Sequence, residues 1–292
     1  MKLEGRLGLI RDMLSPCDCL CDVGTDHALI PAAAVMEGIC RRALATDIRP
    51  GPLERAARTL RRYRLEDRIE LRLGAGLEPV RAGECDGIVI AGMGALMICD
   101  ILANHRETAE RASFLILQPM HAQERLRPWL RENGYVLLSE RLAREGEKRY
   151  QVLAVRHRNA PGTLPFLSAD MADIADISVM QEKGAASDLV YPVPRRDFSL
   201  TEEALLSTGP AGPELPEDPE DPLYDCVGYE IVRKPDPLAA LWVGDWIVRQ
   251  RRIAEGLQRS GQPSAEAEDA ARLLAKLEDC LAVLNGKEPK HA

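Results

Sequence analysis

Carboxylates and glycines recur in this chain at a spacing that suits a cationic nucleoside ligand. The run Asp22-Val23-Gly24-Thr25-Asp26-His27 follows the apolar stretch Cys19 to Val23 and precedes a helical pattern. It therefore occupies a strand-to-helix turn, where open α/β sheets bind ligands at the carboxyl ends of their strands. A dinucleotide fingerprint would need a second glycine in this turn so that backbone could approach a pyrophosphate. That position holds Asp26, an anion that repels phosphate. Asp22 and Asp26 suit instead a ligand that carries an ammonium or a sulfonium and no phosphate. Asp47, followed by Ile48, closes the next apolar run, where an acid can accept both ribose hydroxyls of an adenosine. Gly74-Ala75-Gly76 and Ala91-Gly92-Met93-Gly94 close the third and fourth runs, and each glycine pair permits close approach of backbone to a ligand. Gln118-Pro119-Met120 closes the fifth. An amide at that place can pair with adenine at N6 or N7, and a satisfied buried amide is the alternative.

These groups need a scaffold that gathers strand ends on one rim. From Asp18 to about His157 short apolar runs alternate with amphipathic stretches, the pattern of a parallel sheet wrapped by helices. Strands are expected at Cys19 to Val23, Ala43 to Ile48, Ile69 to Leu73, Gly87 to Ala91 and Phe114 to Gln118. Helices are expected near Leu29 to Glu37, Pro52 to Tyr63, Ala95 to Asn104 and Gln123 to Glu132, the last stopped by Asn133-Gly134. Tyr135 to Glu140 and Tyr150 to Val155, joined by a polar segment, read as a hairpin. The fold class is thus α/β, a doubly wound Rossmann-like sheet ending in an antiparallel pair. Residues 159–225 are rich in proline and acid and read as a mobile insertion or linker, with a weakly helical patch around Met171 to Val179. Residues 226–292 read as a coiled-coil-like α-helical hairpin. Leu238, Leu241, Trp242, Trp246, Ile253 and Leu257 stripe its first helix, and Ala270, Leu273, Leu274, Leu277, Leu281 and Leu284 its second, with Ser260 to Pro263 between them.

Composition narrows the function classes. The chain has 292 residues and a net charge of −8, which by itself argues against a nucleic-acid partner. Residues 1–158 carry 25 basic against 22 acidic side chains, and the remainder 13 against 24. A locally basic catalytic part can bind phosphates despite the total. Eight cysteines without CxxC pairs or cysteine/histidine clusters give no disulfide framework and no metal site. Cys17, Cys19 and Cys21 alternate, which puts them on one strand face as buried thiols. With no long apolar run, and an amphipathic segment at Met1 to Leu14 rather than a signal peptide, a soluble cytoplasmic protein with no membrane partner is expected.

Asp22-Val23-Gly24-Thr25-Asp26-His27, Gly51-Pro52, Arg72-Leu73-Gly74-Ala75-Gly76-Leu77, Ile90-Ala91-Gly92-Met93-Gly94 and Leu117-Gln118-Pro119 together resemble the bacterial tRNA (adenine(22)-N1)-methyltransferase family. The resemblance covers roughly residues 1–157, and the carboxy-terminal helices look like that family's coiled-coil domain. It implies a methyltransferase domain over 1–158 that uses S-adenosylmethionine and methylates N1 of an adenine in the D-arm of tRNA; the chain is expected to be a monomer or a homodimer. Three positions depart from the pattern. Ala75 stands where the family usually has aspartate, Asp47 where glutamate is frequent, and Met120 where asparagine is often found.

The implied reaction needs alignment more than deprotonation, because neutral adenine N1 already presents an in-plane lone pair. Asp26, His27 and Gln118 are the catalytic candidates, as acceptors for the N6 amino group while the base becomes positive. Cofactor candidates are Asp22, Gly24, Thr25, Asp26, His27, Asp47, Ile48, Gly74, Ala75, Gly76, Ala91, Gly92, Met93 and Gly94. Gln118, Pro119 and Met120 are candidates for the target base. Arg55, Arg58 and Arg62 recur on one helix face, either to contact phosphates or as a solvated ion-paired surface. A non-catalytic RNA- or protein-binding relative, and a methyltransferase of another substrate, stay open as alternatives.

Overall fold

The computed structural model describes residues 1–161, 215, 218, 220–234, 236–259 and 264–287, without the side chain of Gln258. Seven strands form one sheet: β1 (Cys17–Val23), β2 (Cys40–Asp47), β3 (Ile69–Leu73), β4 (Gly87–Met93), β5 (Phe114–Pro119), β6 (Tyr135–Glu145) and β7 (Lys148–His157). Their order is β3-β2-β1-β4-β5-β7-β6. The first five in this order are parallel, β7 runs antiparallel to β5, and β6 pairs antiparallel with β7. The chain winds outward from β1 through β2 to β3, then returns to start β4 on the other side of β1. That reversal opens a crevice between the carboxyl ends of β1 and β4.

Helices α1 (Gly5–Asp12), α2 (Leu29–Met36) and α3 (Pro50–Tyr63) cover one face, and α4 (Ala95–Asn104), α5 (Arg106–Arg111) and α6 (Gln123–Glu132) the other. Because both faces are covered, the central strands are almost wholly apolar. Alternate residues supply the two cores. Leu20, Val89 and Ile116 pack with Ile10, Val35 and Leu60 on one side, while Cys21, Ile88, Ile90 and Leu117 pack with Ile98, Leu102 and Leu126 on the other. Cys19 and Cys21 share the second face as expected, but Cys17, at the strand's first position beside Cys40, packs against the first core instead.

Beyond the sheet lie α7 (Pro222–Val227), α8 (Tyr229–Arg233), α9 (Ala239–Arg259) and α10 (Ala265–Leu284). They form a third core with Leu142 of β6, built on Leu223, Tyr224, Ile231, Trp242, Val243, Trp246, Leu277 and Cys280. The reading of 159–225 as insertion therefore extends too far, since Leu223 and Tyr224 are fully buried in a helix that begins at Pro222. The proline that argued for a linker sits at the first helical position, where its missing N–H is harmless, and Asp221 caps the helix through Leu223 N. The stripe expected for α9 is also rotated. Val243 and Ile247 turn inward, whereas Leu241 and Ile253 are 48% and 43% exposed. The patch at 171–179 and the break at 260–263 lie outside the described residues.

A buried ion pair fastens these helices to the sheet edge. Arg127 Nη2 of α6 lies 2.6 Å from Glu140 Oε2 of β6, and Gln151 Nε2 donates to the same oxygen at 3.0 Å. Glu230 N of α8 donates to Glu140 Oε1 at 3.1 Å, and Arg127 Nη1 donates to the Asp225 carbonyl at 2.8 Å.

Candidate active site

The five loops singled out in the sequence stand on one rim, because each follows a strand of the parallel set. They are also tied together. Gly24 N and Thr25 N both donate to the Thr46 carbonyl at 2.8 Å, Gly74 N donates to the Asp47 carbonyl at 3.0 Å, and Thr46 Oγ1 donates to the Gly76 carbonyl at 3.0 Å. On the far side of the crevice Met120 N donates to the Met93 carbonyl at 2.7 Å. Gly24 has φ +73°, and a Cβ there would collide with Met93 Cε across the crevice. Glycine is thus favoured by the left-handed backbone, and any larger residue would make the tip of the flexible Met93 side chain swing away.

Asp22 is 7% exposed and forms no ion pair among the described residues. Burial pushes its carboxyl up to about 6, while the Thr25 hydroxyl pulls the other way. Asp47 is equally buried, and its Oδ1 accepts from Arg49 N at 2.8 Å. Its Oδ2 has no hydrogen-bond partner among the described residues, and so can accept from a ligand. Ile48 follows Asp47 in the chain and Leu73 is its register partner at the end of β3, 66% and 59% exposed. Two large apolar side chains left open beside an acid suit the faces of a heterocycle next to its sugar. A buried carboxylate without an ion pair among the described residues, a free carboxylate oxygen and two exposed apolar side chains fit the cation, ribose and adenine of S-adenosylmethionine.

Other expected residues are placed differently. Asp26 and His27 are exposed on the lip, with His27 Nε2 3.4 Å from Asp26 Oδ2, and Arg55 Nε donates to Asp26 Oδ1 at 2.8 Å. Asp26 thereby pins the start of α3 to the loop, and one of its oxygens is occupied. Arg58 and Arg62 are exposed further along α3, Arg62 over the Tyr63 ring at 5.6 Å. Ala75 is exposed, with its N–H donating to Glu78 Oε2 at 3.2 Å. Ala91, Met93 and Gly94 are half-buried and Gly92 is exposed, with φ +78°.

Gln118 is fully buried, and its amide is satisfied within the protein. Oε1 accepts from Gly92 N at 3.1 Å and from Arg6 Nη1 at 2.7 Å, while Nε2 donates to the Pro119 carbonyl at 2.8 Å. The side chain therefore presents no open edge to a base, which corrects the expectation that it reads adenine directly. Met120, 41% exposed, is the residue of this loop that meets solvent. Sequence reasoning missed Arg6, whose partner lies 112 positions away, and Leu73, which reads as an ordinary strand end. Backbone strain collects here as well. Ala28 and Ala122, the residues before α2 and α6, hold φ +52° and +57°, left-handed conformations that cost about 1 kcal/mol or more each without glycine.

Comparison with known proteins agrees with this fold. The family described as "Methyltransferase domain" matches residues 3–153. The tRNA (adenine(22)-N(1))-methyltransferase of Bacillus subtilis strain 168 is 31% identical over 185 residues, covering 63% of this chain and 78% of that protein. The chain belongs to the tRNA (adenine(22)-N(1))-methyltransferase family. The fold of a tRNA (adenine(22)-N(1))-methyltransferase extends through the carboxy-terminal helices. The crystal structure of the B. subtilis m1A22 tRNA methyltransferase TrmK superposes with a TM-score of 0.68 at 22% identity, covering 96% of this chain and 99% of that one. M. capricolum TrmK, in complex with S-adenosyl-homocysteine, gives 0.64 at 18% identity, covering 97% and 99%. Among the described residues no cluster of histidine, cysteine and carboxylate could hold a metal, and no helix is long and apolar enough to cross a membrane.

Proposed function

We propose that this protein transfers the methyl group of S-adenosylmethionine to N1 of an adenine in tRNA, at position 22 of the D-arm. The observation that carries this reading is the buried Asp22, without a cation partner among the described residues, at the rim of a chain that belongs to this family. The donor brings an electrophilic methyl group and a positive charge. Asp22 offsets that charge, and Asp47 accepts the ribose hydroxyls. Ile48 and Leu73 take the faces of the adenine.

On the substrate side the protein mainly aligns and dries the reacting atoms. Gln118 acts as a positioning residue: it holds Gly92, and with it the β4 rim, in place through the 3.1 Å bond to Gly92 N. Pro119, Met120 and Met93 wall the target pocket. Asp26 and His27 on the lip are the remaining acceptors for the N6 amino group, whose acidity rises as N1 is methylated. Because N1 lies on the pairing edge, the nucleotide has to leave its pair before transfer. Arg58 and Arg62, exposed and clear of the Asp26 pair, contact phosphates of the tRNA, a substrate that places the protein in the cytoplasm. The domain with this chemistry spans residues 1–158, with the helical hairpin beyond.

The test is transfer of labelled methyl from S-adenosylmethionine to unmodified bulk tRNA, followed by nucleoside analysis. 1-Methyladenosine that disappears when the D-arm adenine is replaced is the expected result. Label in another nucleoside, or none with a protein that binds the donor, overturns it.

A further inference from the structure

The side chain that Gln118 holds is an arginine with no counter-ion among the described residues. Arg6, near the start of α1, donates from Nη1 to Gln118 Oε1 at 2.7 Å and lies over the Tyr150 ring of β7, its Cζ 5.4 Å from the ring centre. Nη1 stands 3.5 Å from where a Cβ on Gly92 would be, so the guanidinium packs directly on the rim glycine of β4. Arg6 Nε is buried without a hydrogen-bond partner, and no carboxylate pairs with this guanidinium among the described residues. Glu145 Oε1 accepts from the backbone N of Arg6 at 2.9 Å, which fixes the residue's main chain. The side chain is thus oriented by an amide, a ring and a backbone anchor, yet keeps its full charge.

A half-buried cation held this firmly and left uncompensated suits an anion that arrives later. The base itself does not suit it, because adenine gains positive charge as N1 is methylated. The donor's sulfonium is likewise cationic. Two oxyanions remain, a backbone phosphate of the RNA and the carboxylate of the donor. Gln118 and Tyr150 belong to β5 and β7, on the side of the crevice away from Asp47, and this favours the RNA. Resting on the function proposed above, we infer that Arg6 is a phosphate-binding residue that grips the RNA backbone beside the displaced nucleotide, with Gln118 setting its direction. Guanidinium groups bind phosphate through their N–H donors; Arg6 Nε is sealed from solvent, and Nη2, which has no hydrogen bond among the described residues, is the donor left for it.

The experiment uses the full chain, S-adenosylmethionine and unmodified tRNA, with steady-state constants for both substrates. Arg6→Gln should raise KM for tRNA about tenfold, leave KM for the donor unchanged, and lower the salt slope of tRNA binding by about one. Arg6→Lys should recover part of the loss. A tRNA with one methylphosphonate linkage, placed 5′ or 3′ of the target nucleotide, should cost the wild-type protein a similar factor at one of the two positions and cost Arg6→Gln nothing further. Equal losses in both proteins overturn the assignment. So does a weakened donor with tRNA binding intact, which would make the donor carboxylate the partner. If Arg6→Gln fails to fold, unchanged wild-type KM with both neutralised tRNAs overturns it alone. A wild-type protein that binds the donor but methylates no tRNA overturns the underlying function, and the phosphate assignment falls with it.

Discussion

Asp22 and Glu140 are both buried carboxylates, 7% and 4% exposed, and burial raises the pKa of each. Their surroundings differ. Glu140 meets the Arg127 guanidinium, the Gln151 amide and the Glu230 N–H, so the charge it carries into the interior is answered inside the chain. Asp22 has the Thr25 hydroxyl and, among the described residues, no cation. A carboxylate that serves the fold brings its own donors, whereas one that serves a ligand is left in deficit until the ligand arrives. The first fastens the helical part to the sheet edge, and the second marks the crevice.

The largest effect should come from breaking the satisfied site. Glu140→Ala leaves Arg127 buried without its partner and should lower the free energy of unfolding by about 3–5 kcal/mol, read from urea denaturation. Replacing both partners, Arg127→Met with Glu140→Leu, should restore most of that stability, because no uncompensated charge remains. A double variant as unstable as Glu140→Ala would show that the pair matters through shape and not charge.

Asp22→Asn is the mirror experiment. Removing a charge that nothing in the fold answers should leave unfolding stability equal or higher, while the affinity for S-adenosylmethionine drops about 30-fold, the worth of one charge-assisted contact of about 2 kcal/mol. Calorimetric titration measures the affinity. Loss of stability together with unchanged affinity would reverse the roles assigned to the two carboxylates.

How much of this contrast was legible in the sequence depends on where the partners lie. Asp22 could be placed because its role follows from a local pattern, an apolar run ending in an acid and a glycine before a helix. The parallel strands were readable for a related reason, since burial on both faces makes Gly87–Met93 and Phe114–Pro119 nearly continuous apolar stretches. Glu140, by contrast, looks like one more acid in an amphipathic strand, and its counter-ion on α6 emerges only when β6 folds back against that helix. Helices α7 and α8 escaped because six and five residues are too few to show a helical period, and the flanking prolines and acids dominate the composition. Gln118 was placed on the correct rim, but whether its amide is open or satisfied depends on Arg6, brought in from the other end of the domain.

The titration of Asp22 sharpens the contrast further. Its folded value of about 6 exceeds the ordinary value of about 3.9, so the folded protein holds a proton that the unfolded chain has released. The stabilising contribution is fully present below about pH 4 and is lost as pH rises through about 6. Compared with Asp22→Asn, the empty wild-type protein should therefore gain relative stability between pH 7 and pH 4. Binding of a cationic donor has the opposite sign, because it needs the carboxylate. Affinity should weaken by up to about tenfold per pH unit below 6 in the wild type and stay flat in Asp22→Asn. Parallel pH profiles would remove Asp22 from the donor site.

The smallest expected effect lies at the other end of the same ligand. Ala75 occupies a position where the family usually carries aspartate, and its backbone N–H is already engaged by Glu78 Oε2 at 3.2 Å. In the proposed donor complex residue 75 itself therefore offers the adenine amino group no side-chain acceptor, and the Glu78 carboxylate beside it is shared with Ala75 N, in contrast to the sulfonium end, where Asp22 forms no ion pair among the described residues. Ala75→Asp should supply one hydrogen bond and tighten donor binding about threefold, the low end of what a single neutral-donor contact contributes. The new carboxylate would stand close to Glu78, whose repulsion subtracts from the gain, so Glu78→Gln in the Ala75→Asp background should tighten binding further. If neither variant binds more tightly, a backbone carbonyl of the 74–76 turn already accepts the amino group, and the missing side chain costs this protein nothing.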